Sequence, residues 1–287
     1  MEKEIILVTG ANGQLGRCIE KLSKQYEQYD FIFTDIEELD ITSNKDVTNF
    51  FNENRIDIII NAAAYTAVDK AEEEFDKANL VNNVAVANLV RAATRNRIKL
   101  IQVSTDYVFN GCKTTPYLAT DNPSPRTVYG RTKFRGEKEA LNSSKGVIIV
   151  RTSWLYSEYG SNFVKTMLKL GKTKQEIDVV FDQIGTPTYA MDLAEFLLSL
   201  ANKVVGKRIV HYSNEGVCSW YDFARKVMQY ANLNCKVNPI RSFTYEHQTP
   251  RPHYSILDKT ETKTIYNIEI PYWEDSLKKC IANLTKG

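Results

Sequence analysis

Thr9-Gly10-Ala11-Asn12-Gly13-Gln14-Leu15-Gly16 is the stretch that decides how this chain folds. It follows the apolar run Ile5 to Val8 and leads into an amphipathic stretch, so a strand turns into a helix across a G-x-x-G-x-x-G spacing. Each glycine has its own physical reason: Gly10 allows a tight turn, Gly13 lets backbone approach a pyrophosphate, and Gly16 lets the helix pack closely on the strand. The first helical turn then offers free N–H groups to an anion. Asp35 ends the next apolar run about 20 residues further on, where a carboxylate can accept from ribose hydroxyls. The same charge repels a 2′-phosphate and so favours NADH over NADPH. Arg17, just past the third glycine, is placed either to reach a phosphate or to sit on an exposed helix face.

Outward from this turn, short β-branched runs alternate with longer amphipathic stretches. The runs are Ile5 to Thr9, Phe31 to Thr34, Ile56 to Asn61, Lys99 to Val103 and Val147 to Val150. Ile58-Ile59-Ile60 is apolar without alternation, as expected of a strand covered on both faces. Between the runs, Ser43 with Asp46 marks a capped helix start, Phe75 to Asn96 repeats apolar residues at helical spacing, and Tyr129 to Leu141 follows a Pro-rich loop. This pattern predicts an α/β fold, a Rossmann-type doubly wound parallel sheet whose ligands bind outside the carboxyl ends of the strands. After Val150 the pattern loosens, with helices near Phe163 to Leu170, Met191 to Ala201 and Trp220 to Tyr230 and a strand at Arg208 to His211. We expect a dinucleotide-binding domain over 1–150, a return of the chain to it around 186–212, and a smaller α/β substrate-binding subdomain over most of 151–287.

Composition narrows the partners. The 287 residues are 43% hydrophobic and 25% charged, enough apolar material for a large core throughout. Lys plus Arg (37) nearly balances Asp plus Glu (35), so there is no electrostatic footprint for nucleic acid or an anionic membrane. The five cysteines are far apart and never in a CxxC, which fits neither a disulfide framework nor a zinc site. Free thiols and the lack of any run near the roughly 20 apolar residues of a membrane span make a cytoplasmic protein the expectation. His211, His247 and His253 are scattered and suggest no shared site.

Tyr129-Gly130-Arg131-Thr132-Lys133 puts a phenol and an ammonium at i and i+4, on one face of a predicted helix. A tyrosine titrates near ~10, so it needs a nearby cation such as Lys133 before it serves acid–base chemistry at neutral pH. Ser104-Thr105-Asp106 follows directly on a strand, where Thr105 can offer a hydroxyl to a substrate carbonyl. Ala62, Ala63 and Ala64, just after the third run, supply small side chains where backbone passes close to a ligand. Arg251, in Arg251-Pro252-His253-Tyr254, has a guanidinium suited to a diphosphate.

With these motifs in order, the sequence resembles the extended short-chain dehydrogenase/reductase superfamily and, within it, the dTDP-4-dehydrorhamnose reductases. The matching segments are TGANGQLG at Thr9, NAAAYTAVDKAE at Asn61, VNN at Val81, STDYVFNG at Ser104, VYGRTK at Val128, RTSWLY at Arg151, NFVKTM at Asn162, DQIGTPT at Asp182 and RPHYSILD at Arg251. The resemblance implies reduction of the 4-keto group of dTDP-4-dehydro-6-deoxy-L-mannose to dTDP-L-rhamnose, with NADPH or NADH. It implies that Tyr129 is the proton donor, that Lys133 is its partner and ribose anchor, and that Thr105, Asp106 and Trp154 meet the dTDP-sugar. Gly13, Gln14 and Leu15 would line the pyrophosphate; Asp35, Asp40, Ile41, Ala64, Tyr65 and Thr66 would line the rest of the cofactor, and Asn82 would be the superfamily's helix asparagine. Some members carry a glutamate two residues past the third glycine, as part of a magnesium site at a homodimer interface. Here that position is Cys18, a soft thiol unsuited to a hard cation, which argues against magnesium and leaves a homodimer open. Two other functions compete, namely a sugar-nucleotide dehydratase or epimerase of the same superfamily, and a non-enzymatic cofactor-binding subunit. A dehydratase would need a glutamate where this chain has Tyr107, and a pure binder would need no Tyr129.

Overall fold

Isoleucine and valine side chains packed on both faces of one sheet form the centre of the molecule. In this computed structural model, which describes residues 2–143, 146–244 and 249–285, six parallel strands lie in one sheet. Their spatial order is Tyr29–Thr34, Glu4–Thr9, Ile58–Asn61, Lys99–Thr105, Val147–Thr152 and Lys207–His211. Strand side chains alternate, so Ile6 and Val8 face one layer while Leu7 faces the other. On the first face they meet Leu15, Cys18 and Ile19 of the helix Gln14–Ser23 and Leu193, Ala194 and Leu197 of Ala190–Ser199. On the second they meet Val47 and Phe51 of Asn44–Glu53 and Val86, Leu89 and Ala93 of Ala85–Asn96. Each buried isoleucine, leucine, valine or phenylalanine among them contributes roughly 1.5–3 kcal/mol of transfer free energy.

After the first strand the chain moves to one side to make Tyr29–Thr34, then crosses back to make Ile58–Asn61 on the other. The crevice this leaves lies between the carboxyl ends at Thr9 and Asn61, the location at which such sheets hold ligands.

Ser43 caps the helix Asn44–Glu53 by accepting from the Asp46 N–H at 3.2 Å, as its spacing predicts. The single helix expected over Phe75 to Asn96 is instead three pieces: Phe75–Asn79, a π-helical turn Leu80–Val84, and Ala85–Asn96. Buried Asn82 accounts for the turn. Its Oδ1 accepts from the Tyr65 N–H at 2.9 Å, and its Nδ2 donates to the Tyr65 carbonyl and to Thr132 Oγ1, both at 3.1 Å.

Beyond the fifth strand the chain builds a second, aromatic-rich core. Helices Phe163–Thr173, Trp220–Tyr230 and Trp273–Thr285 pack around the parallel pair Glu176–Val180 and Lys236–Ile240. That pair is not predicted, because Lys236–Ile240 is short, half polar and carries Pro239. Between these pieces the chain re-enters the central sheet as Lys207–His211.

Candidate active site

A cavity of about 830 Å³ runs along the carboxyl edge of the sheet, from Asp35 past Gly10, Ala62 and Thr105 to Trp154. It crosses the ends of five neighbouring strands, a span of about 19 Å at 4.7–4.9 Å per strand.

The glycine turn forms one wall. Gly10 has φ +70°, and a Cβ there would stand 2.7 Å from the Ala63 backbone, so neither the conformation nor the space admits a side chain. A Cβ on Gly16 would meet the Gly10 carbonyl at 2.3 Å. Gly16 therefore seats the helix on the turn and does not line the cavity, in contrast to Gly13, Gln14 and Leu15, which do. Gly13 is the N-cap of Gln14–Ser23, with no side chain capping it among the described residues, so the first helical turn keeps its N–H groups for an anion.

Asp35 lines the far end, yet its carboxylate also holds the turn: Oδ2 accepts from the Asn12 N–H at 2.9 Å and Oδ1 from the Ile36 N–H at 2.8 Å. Asp40, Ile41, Ala62, Ala63, Ala64 and Thr66 line the cavity as well. Tyr65 does not. Asn82 holds its backbone and its hydroxyl donates to Glu74 Oε2 at 2.7 Å, so the side chain points away from the cavity.

Thr105, Asp106, Tyr129 and Lys133 converge at the other end. Thr105 ends its strand and caps the short turn Asp106–Val108, accepting from the Tyr107 N–H at 3.2 Å while its hydroxyl donates to Asp106 Oδ1 at 3.0 Å. Asp106 is buried beside Ser255, with no hydrogen bond to its Oδ2 within 3.5 Å among the described residues; burial pushes the carboxyl up to about 6. Tyr129 stands in the first turn of the helix Val128–Ala140, capped by Thr127, whose Oγ1 accepts from the Gly130 N–H at 3.0 Å. That helix rests on bare backbone at two points. A Cβ on Gly130 would lie 2.2 Å from the Tyr107 carbonyl, and one on Gly136 would lie 2.1 Å from that of Asn82.

The electrostatics correct one expectation. Desolvation pushes the Tyr129 phenol above its ordinary value, and the opposing influence is a hydrogen bond with Thr105, not the Lys133 charge. Lys133 is buried and donates to the Val103 carbonyl at 2.8 Å, and burial lowers its ammonium to about 8. In the free chain, then, the phenol is protonated, which is the state a proton donor needs.

Beneath these groups lies a buried ion pair that sequence reasoning missed. Arg151 meets Glu137 through two parallel bonds of 2.8 and 2.7 Å, both side chains are 1% exposed, and Ser104 Oγ donates to Glu137 Oε1 at 2.6 Å. The pair ties Ser104, next to Thr105, to the helix carrying Lys133. A charge at i+4 from Lys133, on the buried face, was the available signal.

Trp154 also lines the cavity, in a left-handed conformation (φ +49°) that costs a bulky residue about 1–3 kcal/mol. Arg251 does not. Its Nη2 lies 2.7 and 2.8 Å from the two Asp69 carboxylate oxygens, so in the free chain the guanidinium is paired with that carboxylate. His211 is buried in the core, with burial and the Arg151 charge pushing it down to about 3; His253 is exposed, and His247 lies outside the described residues. Cys18 is fully buried against the sheet, where burial pushes its thiol up to about 12, and a neutral buried thiol does not fit a magnesium ligand. Among the described residues no cluster of His, Cys, Asp and Glu could hold a metal ion, and no helix is long and apolar enough to cross a membrane.

A doubly wound sheet with a glycine turn at one end of its cleft and a threonine, tyrosine and lysine at the other defines the class: a Rossmann-type α/β oxidoreductase. Comparison with known proteins narrows this. The pattern of the family described as RmlD substrate binding domain matches residues 3–286, and the chain belongs to that family. It is 42% identical to the dTDP-4-dehydrorhamnose reductase of Aggregatibacter actinomycetemcomitans, over 95% of this chain and 97% of that one. It is 41% identical to the spore coat polysaccharide biosynthesis protein SpsK of Bacillus subtilis (strain 168), over 96% and 95% of the two chains. A crystal structure of dTDP-4-dehydrorhamnose reductase from Bacillus anthracis str. Ames in complex with NADP superposes with a TM-score of 0.94 at 40% identity, covering 98% of this chain and all (100%) of that one.

Proposed function

We propose that the protein is an NAD(P)H-dependent oxidoreductase that reduces the 4-keto group of dTDP-4-dehydro-6-deoxy-L-mannose to give dTDP-L-rhamnose. The observation that carries this reading is the convergence of Thr105, Tyr129 and Lys133 at one end of a cavity whose other wall is an uncapped helix start behind the glycine turn. The cradle fits a dinucleotide: Gly13, Gln14 and Leu15 would hold its pyrophosphate, Asp35 and Asp40 the adenosine end, and Lys133 the second ribose. When bound there, NADPH or NADH would supply a hydride. The protein's part is the proton and the charge. Tyr129 donates its phenolic proton to the C4 oxygen, Thr105 turns its hydroxyl from Asp106 Oδ1 to donate to the same oxygen, and Asp106 then accepts from a sugar hydroxyl. Trp154 bounds the sugar. A cytoplasmic setting is part of this reading, supported by five free cysteines.

Reduction and dehydration differ at Tyr107, which occupies the position of a dehydratase's basic glutamate. Burial pushes this phenol up to about 12, so it is neutral and cannot remove a proton from C5. The expected result is that dTDP-4-dehydrorhamnose consumes one reduced nicotinamide per sugar while dTDP-glucose is left unchanged. A 4-keto-6-deoxy product from dTDP-glucose, without net loss of reduced cofactor, would overturn the reductase in favour of the lyase. No consumption with either sugar would favour the non-enzymatic binder.

The pH dependence follows from Lys133. Tyr129 stays protonated across the working range because its phenol is raised, whereas the lowered ammonium is lost as pH rises through about 8. Since kcat/KM reports groups of the free enzyme, its basic limb is expected near 8. A limb near the ordinary lysine value of about 10.4 would remove Lys133 as its source.

A further inference from the structure

Trp154 adopts its left-handed backbone (φ +49°) between two fixed points. Before it, Ser153 Oγ donates to the Thr186 carbonyl at 2.8 Å; after it, the Thr188 N–H donates to the Trp154 carbonyl at 3.1 Å. The indole is held as firmly. Trp220 stacks on it with ring centroids 3.6 Å apart and planes 9° from parallel, and Phe163 backs Trp220 at 4.6 Å. Gly185 meets the indole from another side, where a Cβ would stand 2.6 Å from Cε2 and 2.7 Å from Cζ2. Gly185 and Trp220 come from one small ribbon: Cys218–Ser219 pairs antiparallel with Ile184–Gly185, and Ser219 caps the helix that Trp220 begins, in a capping box with Asp222. The second core thus reaches over to hold a residue delivered by the central sheet. A bulky side chain kept in a sparsely populated conformation by so many contacts is an arrangement that packing alone does not require.

We propose that Trp220 and Gly185 are positioning residues for the sugar, which fix the Trp154 indole in the cavity wall and so set where the sugar ring stops relative to Thr105 and Tyr129. This rests on reading Trp154 as a substrate contact. It gives a part in the reaction to two residues that do not line the cavity themselves.

The test compares Trp154→Ala, Trp220→Ala, Trp220→Phe, Gly185→Ala and the double variant Trp154→Ala/Trp220→Ala. The readouts are steady-state kinetics with dTDP-4-dehydrorhamnose, NADPH affinity by fluorescence titration, and the far-ultraviolet exciton couplet of the stacked indoles. Trp220→Ala should abolish the couplet and lower kcat/KM for the sugar by about ten- to a hundredfold, the cost of a misplacement near 1 Å, with NADPH affinity unchanged. Gly185→Ala should act in the same direction, and Trp220→Phe, which keeps a ring under Trp154, should recover most of the rate. The double variant should be no worse than Trp154→Ala, because Trp220 acts through that indole. Sugar kinetics at the wild-type level in a Trp220→Ala protein that has lost its couplet would overturn the proposal, and so would strictly additive losses in the double variant. Unchanged sugar kinetics in Trp154→Ala would instead overturn the substrate-contact reading beneath it.

Discussion

Tyr129→Phe is expected to bind NADPH as the parent does and to lose turnover by roughly 10²- to 10⁴-fold, the usual contribution of a positioned general acid. The substitution removes one hydroxyl and leaves the ring against Tyr107, whose centroid is 5.4 Å away, so the helix and its cap at Thr127 have no reason to move. Lys133 keeps its bond to the Val103 carbonyl and remains available to the cofactor. The loss should therefore fall on kcat, with cofactor affinity from fluorescence titration unaltered. Wild-type turnover in this variant would mean that the proton comes from elsewhere, with Asp106 the next group to test, since its raised carboxyl holds a proton up to about pH 6.

Cutting the ion pair beneath the site should have the largest effect on stability. Glu137→Ala or Arg151→Ala each leaves a full charge buried without its partner, which costs about 3–5 kcal/mol. Removing Glu137 also strands Ser104 Oγ, and removing Arg151 loses a cation packed 5.0 Å above the Phe109 ring. Replacing both together with apolar residues of similar volume should recover most of the loss, because desolvation of the two ions is then no longer imposed. Urea denaturation of the three variants measures this directly. A single-variant loss below about 1 kcal/mol would mean that water reaches the pair and that it behaves like a surface salt bridge.

Much of this architecture is legible in the sequence because it depends on local rules. Ile58-Ile59-Ile60 announces a strand covered on both faces, Ser43 with Asp46 announces a helix start, and the three glycines announce a turn whose geometry no other residue satisfies at Gly10. The cleft between Asp35 and Thr105 follows from the sheet order that these elements imply. What could not be read depends on contacts between distant segments. Arg251 finds Asp69, 182 residues away, and is not among the residues lining the cavity. The environment of Lys133 is set by burial, which a spacing of i and i+4 does not contain, so the cation expected to draw the phenol down is itself pushed toward neutrality. Asn82 turns a continuous helical pattern into a π-helical one for the sake of bonds to Tyr65 and Thr132. The parallel pair of the second core is hidden for a similar reason, since each strand is only five residues long and Lys236–Ile240, half polar and carrying Pro239, becomes a strand only beside the other.

The glycines of the helix Val128–Ala140 have a consequence for how such an enzyme can change over evolutionary time. At Gly130 and Gly136 the helix touches the carbonyls of Tyr107 and Asn82 with no side chain between. A contact of that kind has no adjustable spacer: a larger residue at either point must displace main chain, and no smaller one exists. The height of the Tyr129 hydroxyl above the sheet is therefore a property of the backbone and not of side chains that could repack. A differently shaped ketone therefore meets a fixed proton donor on this side, and only the wall built from side chains, with Trp154 and Asn162 in it, stands where one residue type can be exchanged for another.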